Sequence, residues 1–212
     1  MKESSSKEKI LKRVRKALLQ KSETNTTAID WESDVFTKEE GTTLEVFAAN
    51  FVKNHGHFIY CYHEHHFLDQ FLSAAEEHSW KKIVCLEDRL KYLFNACEHP
   101  VLTTTESVKE ADAGITGCEV LIARTGSVVV NSIGNRSRGI SVFPPVHIVI
   151  AYRKQLLYDL KDYFRHYLRR QGSLPSMTSI ISGPSRTADI EKTIVLGAHG
   201  PKEFFVFFID ED

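Results

Sequence analysis

The sequence lacks the compact cysteine motifs of metal and cluster proteins. Its four cysteines, Cys61, Cys85, Cys97 and Cys118, are widely spaced along 212 residues, and no two form a C-x-x-C pair. We therefore expect no metal site and no iron–sulfur cluster held by this chain's own cysteines. The chain also lacks a G-x-G-x-x-G fingerprint and a phosphate-loop lysine motif, which argues against an ordinary dinucleotide enzyme, a kinase or an ATPase.

A strong net charge and a long apolar run are also missing. The formal net charge is −1, from 27 Lys and Arg and 28 Asp and Glu, so no global field favours nucleic acid or an anionic membrane. No apolar stretch approaches the roughly 18–20 residues of a membrane helix, and residues 1–20 have no apolar signal-peptide core. We expect a cytoplasmic protein without a membrane or nucleic-acid partner.

The first 38 residues predict an appendage in front of one α/β domain at residues 39–212. Helical apolar spacing predicts an amphipathic helix over residues 6–20, with six Lys and Arg at its other positions. Such a face binds a membrane surface or a partner in some proteins, but we favour packing on its own domain or on another copy. Residues 21–38 are polar and predict a linker arm, with Trp31 as an apolar anchor.

From residue 39 onward, short apolar runs alternate with segments of helical spacing, a pattern typical of parallel β-α-β units. The clearest helix is predicted at 156–168, and the closing run Phe204–Ile209 is typical of a strand buried on both faces. We predict an α/β fold with a Rossmann-like sheet and flanking helices. Further strands are predicted at 58–62, 82–86, 119–123, 127–130 and 148–151.

Glycine-bearing stretches at the ends of predicted strands are the candidate ligand loops. Ser185 or Thr187 is predicted to cap a helix that begins near Asp189, where unpaired N–H groups and the helix dipole favour an anion. Arg186 adds a bidentate donor, although a turn in which Arg186 pairs with Asp189 or another internal acid is an open alternative. The candidate ligand-binding residues are Gly117, Thr125, Gly126, Ser127, Gly183, Ser185, Arg186, Thr187, His199 and Gly200.

Histidines supply the other candidate chemistry. A metal site is one interpretation of the five histidines around the first strand, but their spacing fits no standard motif and surface positions are the favoured alternative. The candidate acid–base groups are His147, His199 and Asp189, with a core role for His147 as the favoured alternative. The five clustered histidines are His55, His57, His63, His65 and His66.

The order and content of these motifs resemble the LUD domain family, of the lactate utilisation protein C type. The resemblance covers roughly residues 40–210 and is strongest from 110 onward. Its longest element is the run Ser-Gly-Pro-Ser-Arg-Thr-Ala-Asp-Ile-Glu at 182–191. The other matching stretches are 114–117, 125–127, 144–147 and 197–201.

This resemblance implies a fold like that of ribose-phosphate isomerases and coenzyme A transferases, with ligand loops at the carboxyl ends of strands. It also implies a role in the oxidation of L-lactate to pyruvate, beside two iron–sulfur partner proteins that carry the clusters. Family members usually have an acid before the Thr-Gly pair, where this chain has Arg124. That departure argues against independent coenzyme A transferase-like chemistry.

The leading functional hypothesis is an accessory or ligand-binding subunit of a cytoplasmic L-lactate utilisation system, whose ligand is a small anionic metabolite. Arg186 would hold the anion, and Gly126 and Gly183 would allow its close approach to the backbone. One alternative is an independent enzyme acting on a phosphorylated or coenzyme-A-linked metabolite. The other is a regulatory interaction module with a degenerate site. Neither catalysis nor an oligomeric state is predicted.

Overall fold

A computed structural model of the chain describes residues 6–19, 36, 39–96, 108–132, 139–169, 175–187, 195–197 and 199–211. The chain divides into two units, Met1–Lys38 and Glu39–Asp212. In the first unit, the predicted amphipathic helix forms as α1 (Ser6–Leu19), and none of its residues is buried. The predicted linker arm, with Trp31, falls almost entirely outside the described residues.

The second unit alternates helices and strands, as its apolar pattern predicts. Its helices are α2 (Thr43–Lys53), α3 (Glu64–Glu77), α4 (Asp88–Ala96) and α5 (Leu160–Arg169). Its strands are β1 (His57–Cys61), β2 (Ile83–Cys85), β3 (Ala113–Gly117), β4 (Val120–Ile122), β5 (Ser127–Asn131), β6 (Val146–Tyr152), β7 (Leu156–Leu157), β8 (Thr178–Ile181), β9 (Arg186–Thr187), β10 (Val195–Leu196) and β11 (Glu203–Ile209).

Five parallel strands form the central sheet in the order β1-β11-β6-β3-β2. Ile148 of β6 lies in register with Phe205 on one side and Ile115 on the other. All seven residues of β6 are buried, because helices or a second sheet cover both faces, which explains the nearly continuous apolar runs of the central strands. The predicted parallel α/β sheet is confirmed.

The two faces of this sheet pack against different layers. Helices α3 and α4 cover one face, where Phe67 and Phe71 pack against Phe207. Phe94 of α4 packs against both of these α3 rings. Helix α2 covers the other face together with a second sheet in the order β7-β4-β5-β8. Burial of each such aromatic side chain stabilises the fold by about 1.5–3 kcal/mol, so the sheet is fixed from both sides.

Helix α2 begins and ends with strong capping signals. Its capping box joins Thr42 and Glu45: the Thr42 hydroxyl accepts from the Glu45 N–H at 3.3 Å, and the Glu45 carboxylate accepts from the Thr42 N–H at 2.7 Å. Its apolar stripe, Val46, Phe47 and Phe51, is buried against the sheet. These contacts fix the start and the buried face of α2, and the other end of α2 organises the candidate site.

Within the described ranges, every helix is too short or too polar to cross a membrane.

Candidate functional site

The C-terminus of α2 turns the chain into β1 through a Schellman motif. The Gly56 N–H donates to the Phe51 carbonyl at 3.0 Å, and the His55 N–H donates to the Val52 carbonyl at 2.8 Å. His55 has a φ of 65°, a conformation in which glycine is the usual residue. The turn leaves the His55 side chain exposed.

Two asparagines in the last turns of α2 hold the glycine loops. Nδ2 of Asn54 donates to the Thr125 carbonyl at 2.8 Å, and the Asn54 carbonyl accepts from Nη2 of Arg186 at 2.7 Å. One turn earlier, Nδ2 of Asn50 donates to the Ala123 carbonyl at 3.1 Å. Both loops are therefore anchored on the same helix end.

The glycines of these loops are required by their close approach to α2. Gly126 has a φ of 55° and Gly183 a φ of 87°. A Cβ at Gly126 would lie 2.4 Å from the Asn50 carbonyl carbon, and one at Gly183 would lie 2.1 Å from the Asn54 oxygen. The close backbone approach in the structure is to a helix, and the predicted approach to a ligand stays a prediction.

A serine–threonine cluster joins the loops directly. The buried Ser127 hydroxyl donates to Oγ1 of Thr125 at 2.7 Å and lies 2.7 Å from the Ser182 hydroxyl. Thr125 and Ser182 are exposed. The cluster ties the start of β5 to the residue that precedes Gly183.

The last two glycine stretches pair with each other. The Ser185 N–H donates to the Pro201 carbonyl at 2.9 Å, and the Gly197 N–H donates to the Ser185 carbonyl at 2.9 Å. Strands β9 and β10 pair antiparallel beside them. Arg186 and Thr187 thus form a short strand, whereas the predicted helix start near Asp189 lies outside the described residues. Most of the predicted ligand residues come together here, namely Thr125, Gly126, Ser127, Gly183, Ser185, Arg186, Thr187 and Gly200.

This cluster lies at the amino ends of the parallel strands. His57 is the first residue of β1, and the Lys202 N–H, just before β11, donates to the carbonyl of Pro145, just before β6, at 2.7 Å. Both glycine loops follow the carboxyl ends of their own strands, β4 and β8, but those strands belong to the second sheet and not to the parallel one. The loop after Ile181 is displaced because β8 pairs with β5 in the second sheet and is not a strand of the parallel sheet.

Gly117 stands apart from the other predicted ligand residues. It ends β3 at the carboxyl edge of the parallel sheet, where its N–H donates to Oε1 of the buried Glu87 at 2.8 Å. A side-chain acceptor satisfies this N–H. Gly117 therefore does not join the cluster at the amino edge.

A cavity of about 650 Å³ opens beside the end of α2. Its described lining contains one guanidinium, one ammonium and two imidazoles, and none of the lining residues is acidic. Donors without competing carboxylates favour an anion in the cavity. The lining residues are Val52, His55, Gly56, His57, Pro184, Arg186 and Lys202.

The position of Arg186 suits it to this role. The guanidinium is exposed, and its bond from Nη2 to the Asn54 carbonyl holds it against α2. Among the described residues, no carboxylate lies within ion-pair distance of it. The predicted alternative partner, Asp189, lies outside them.

Of the candidate acid–base groups, His147 and His199 do not line the cavity, and Asp189 lies outside the described residues. His147 is fully buried, its Nε2 lies 2.9 Å from the Thr116 hydroxyl, and its ring stacks on Phe204 at 5.1 Å. Burial lowers the pKa of His147 to about 3, so the ring is neutral at physiological pH. His199 is exposed and does not line the cavity. This placement supports the core interpretation of His147 and argues against acid–base work by it.

Arg124, the residue that departs from the family pattern, forms an ion pair. Its Nε donates to Oδ2 of Asp159 at 2.6 Å. Burial raises the pKa of Asp159, but the Lys161 N–H and the Arg124 guanidinium outweigh it, and the net pKa is lower than usual. Arg124 therefore anchors the start of α5.

Sequence reasoning missed Asn50, Asn54 and Lys202 as parts of the site. Residues Asn-His-Gly at 54–56 are a helix stop signal, which locates the end of α2 but not what packs there.

His63, one of the five clustered histidines, has a structural role, since its Nδ1 accepts from the His66 N–H at 3.0 Å at the start of α3. In the described part of the chain, no three His, Cys, Asp or Glu side chains are grouped to hold a metal ion.

Curated proteins similar to this chain include three bacterial lactate utilization C proteins. The chain is 35% identical to lactate utilization protein C of Shouchella clausii over 108 residues, which are 50% of this chain and 47% of the relative. The lactate utilization protein C of Halalkalibacterium halodurans is 36% identical over 45% of this chain and 43% of its own length. The lactate utilization protein C of Bacillus subtilis is 32% identical over 45% of this chain and 41% of its own length. The chain thus spans less than half the length of these relatives.

A solved structure supports the fold. The crystal structure of a DUF162 family protein from Deinococcus radiodurans superposes with a TM-score of 0.57 at 17% identity, over 79% of this chain and 96% of that one. Residues 44–209 match the LUD domain, a segment that includes α2, both sheets and the cavity. Because this match covers most of the 212 residues, the chain belongs to the LUD domain family.

Proposed function

We propose that the chain acts in lactate utilisation as a ligand-binding component that holds a small anionic metabolite. The observation that carries this proposal is the cavity at the end of α2, where the lining residues that the structure describes include basic side chains and no acidic one. The names of the relatives supply the pathway, since three that match half or nearly half of the chain are lactate utilization C proteins.

The cavity chemistry fits a carboxylate. Arg186 offers paired N–H donors to two carboxylate oxygens, which is the strongest arrangement for such a group. Lys202 adds a point charge, and His55 adds a ring nitrogen on the helix side. Since lactate and pyruvate each carry one carboxylate, they are the first ligands to examine.

Two iron–sulfur proteins are the partners in this proposal. Oxidation of lactate to pyruvate releases two electrons, which need a redox centre, and this chain has no C-x-x-C pair to hold a cluster. In this arrangement the partners carry the electrons and this chain contributes the anion site. The compartment proposed is the cytoplasm.

The test for the site is calorimetric titration of lactate, pyruvate and phosphate into the full chain and into Arg186→Ala. At least one anion should bind, and Arg186→Ala should weaken it about 10- to 100-fold, the loss of one or two charged hydrogen bonds. Arg165→Ala is the matched control, because Arg165 is an exposed arginine on α5 outside the cavity lining. Equal affinity in Arg186→Ala and the unchanged chain would contradict the proposed site.

The test for the partners is reconstitution. The two iron–sulfur proteins should oxidise lactate faster with this chain than without it, and Arg186→Ala should remove part of that gain. Full lactate oxidation by the two partners alone would remove the support for an accessory role.

An independent enzyme acting on a phosphorylated or coenzyme-A-linked metabolite has weaker support. Of the candidates predicted for that chemistry, His147 is enclosed in the core and bonded to Thr116, and His199 does not line the cavity. The regulatory module is a further alternative, which complete absence of anion binding would favour.

A further inference from the structure

A second cavity, of about 480 Å³, lies on the other side of His57. It runs between α3 and β1, the edge strand of the parallel sheet. The two cavities share Val52, Gly56 and His57 in their linings. The two cavities therefore adjoin at the amino end of β1, and we refer to them as the two lobes of one groove.

The second lobe has aromatic walls. The His57 ring stacks on Phe205 with centroids 4.4 Å apart and 14° between the planes. His78 meets the edge of Phe205 at 5.1 Å and stacks on Trp80 at 5.3 Å. Phe205 covers one face of His57, while the residue as a whole is exposed and lines both lobes. A flat ring in the groove would find stacking partners here.

The polar groups of the second lobe favour a ligand with N–H donors. Gln70, Ser73 and Glu77 of α3 line the lobe, and Glu77 supplies a carboxylate. Among the described lining residues, neither Lys nor Arg accompanies it, and the histidines are His57 and His78. Glu203 does not itself line the lobe, but its Oε2 is buried, has no hydrogen-bond donor among the described residues, and lies 3.5 Å from Nδ1 of His78. Carboxylate oxygens only accept when ionised, so this lobe repels an anion and attracts an amino or amide group.

The preference of the groove thus reverses across His57, from anions on the Arg186 side to N–H donors on the Glu77 side. A three-carbon acid is too small to use both lobes. We infer that the groove binds a nucleotide, with its phosphate beside Arg186 and Lys202 and an amino- or amide-bearing ring beside His57 and Glu77. This inference rests on the proposed anion site and names a larger ligand class for it.

Calorimetric titrations of the full chain with AMP, nicotinamide mononucleotide and ribose 5-phosphate test the inference. At least one nucleotide should bind about tenfold or more tightly than ribose 5-phosphate, because its ring would stack on the aromatic side chains of the second lobe. Adenosine, which lacks the phosphate, should bind more weakly than AMP.

Variants in each lobe test the contribution of that lobe to nucleotide binding. Glu77→Ala should weaken the preferred nucleotide about tenfold and leave ribose 5-phosphate unchanged, whereas Arg186→Ala should weaken both. Glu76→Ala is the matched control, because Glu76 is the exposed neighbour of Glu77 on α3 and does not line the lobe. Thermal unfolding of each variant checks that it is folded.

The outcomes distinguish this inference from the proposed function. If ribose 5-phosphate matches both nucleotides and still depends on Arg186, the ring site is wrong and the anion site stands. The two-part ligand is also wrong if a nucleotide depends on Glu77 but not on Arg186. If no lactate, pyruvate, phosphate or nucleotide binding depends on Arg186, the proposed function fails, and this inference fails with it.

Discussion

His55 occupies a backbone conformation that normally selects glycine, and it does so at the wall of the cavity. Its φ of 65° closes the Schellman motif of α2, where a side chain costs about 1–2 kcal/mol relative to glycine. The structure tolerates this strain at a position where the residue lines the candidate anion cavity. Strain of this kind is found most often at functional positions.

We therefore expect His55→Gly to stabilise the fold and weaken the site together. The free energy of unfolding should rise by about 0.5–1 kcal/mol, since glycine adopts this φ without strain, while the affinity for the anion should fall. Urea unfolding and calorimetry measure the two effects.

Ser79→Gly is the control for this prediction. Ser79 has a similar φ, 56°, but lines neither lobe of the groove. It should gain stability without any change in affinity. A loss of stability in His55→Gly would mean that the ring makes a structural contact that outweighs the strain.

The buried His147 predicts a pH dependence of stability. Its pKa in the folded protein is about 3, below the ordinary value near 6.5. Between these values the unfolded chain binds a proton that the folded chain does not, so the free energy of unfolding falls as the pH falls from about 6.5 toward 3. The slope from this residue approaches about 1.4 kcal/mol per pH unit.

Urea unfolding between pH 5 and 7 measures that slope. His147→Gln, which keeps a polar atom near Thr116, should be less stable at pH 7 but should have a flatter pH dependence. His199→Gln is the control, because His199 is exposed, and its slope should equal that of the unchanged chain. An unchanged slope in His147→Gln would mean that the ring binds a proton as readily in the folded state as in the unfolded chain.

At the scale of elements, the glycine loops closely approach the end of α2, whereas the sequence predicted that they closely approach a ligand. The sequence correctly located two positions that require glycine, since Gly126 and Gly183 both have positive φ and both lie close to another backbone segment. It did not identify what approaches them, because the partners, Asn50 and Asn54, lie more than 70 positions away in the chain. Local spacing carries no information on such contacts.

Gly126→Ala and Gly183→Ala should each destabilise the fold by more than about 2 kcal/mol. In both, the added Cβ would come within 2.4 Å of backbone atoms of α2, which cannot move without shifting the helix, and the positive φ adds strain. Gly200→Ala is the control, because its Cβ would meet the Ser185 side chain at 3.0–3.2 Å, and its cost should be smaller. Chemical denaturation of the three variants ranks them; a similar cost for all three would contradict the role of α2.

For the whole molecule, the alternation of apolar runs and helical spacing was enough to predict the parallel α/β sheet, and the closing run forms β11 in the sheet interior. The edge at which the loops meet was not predictable. A short apolar run such as Ser179–Ile181 does not reveal which sheet it joins, and β8 joins the second one. The loop therefore follows the carboxyl end of a strand, as the family resemblance implies, but not at the carboxyl edge of the parallel sheet.

The arrangement of the core predicts that residues 39–212 fold without the first unit. Among the described residues, every buried apolar side chain lies between Val46 and Ile209, and α1 buries none. Glu39 belongs with the second unit, since its N–H donates to the Tyr158 hydroxyl at 3.0 Å and its carboxylate accepts from Asn50 at 3.2 Å. The free energy of unfolding of the 39–212 fragment should match that of the full chain within about 0.5 kcal/mol.

A fragment that starts at residue 43 is the matched comparison. It lacks Glu39 and the Thr42 cap of α2, whose loss should cost about 0.5–2 kcal/mol. Because α2 holds both glycine loops, anion affinity should fall in this fragment and persist in 39–212. Urea unfolding and calorimetry on the three chains measure both quantities. If the 39–212 fragment is as unstable as the shorter one, residues 1–38 contribute to the fold of the second unit, and the boundary at Lys38 is not a domain boundary.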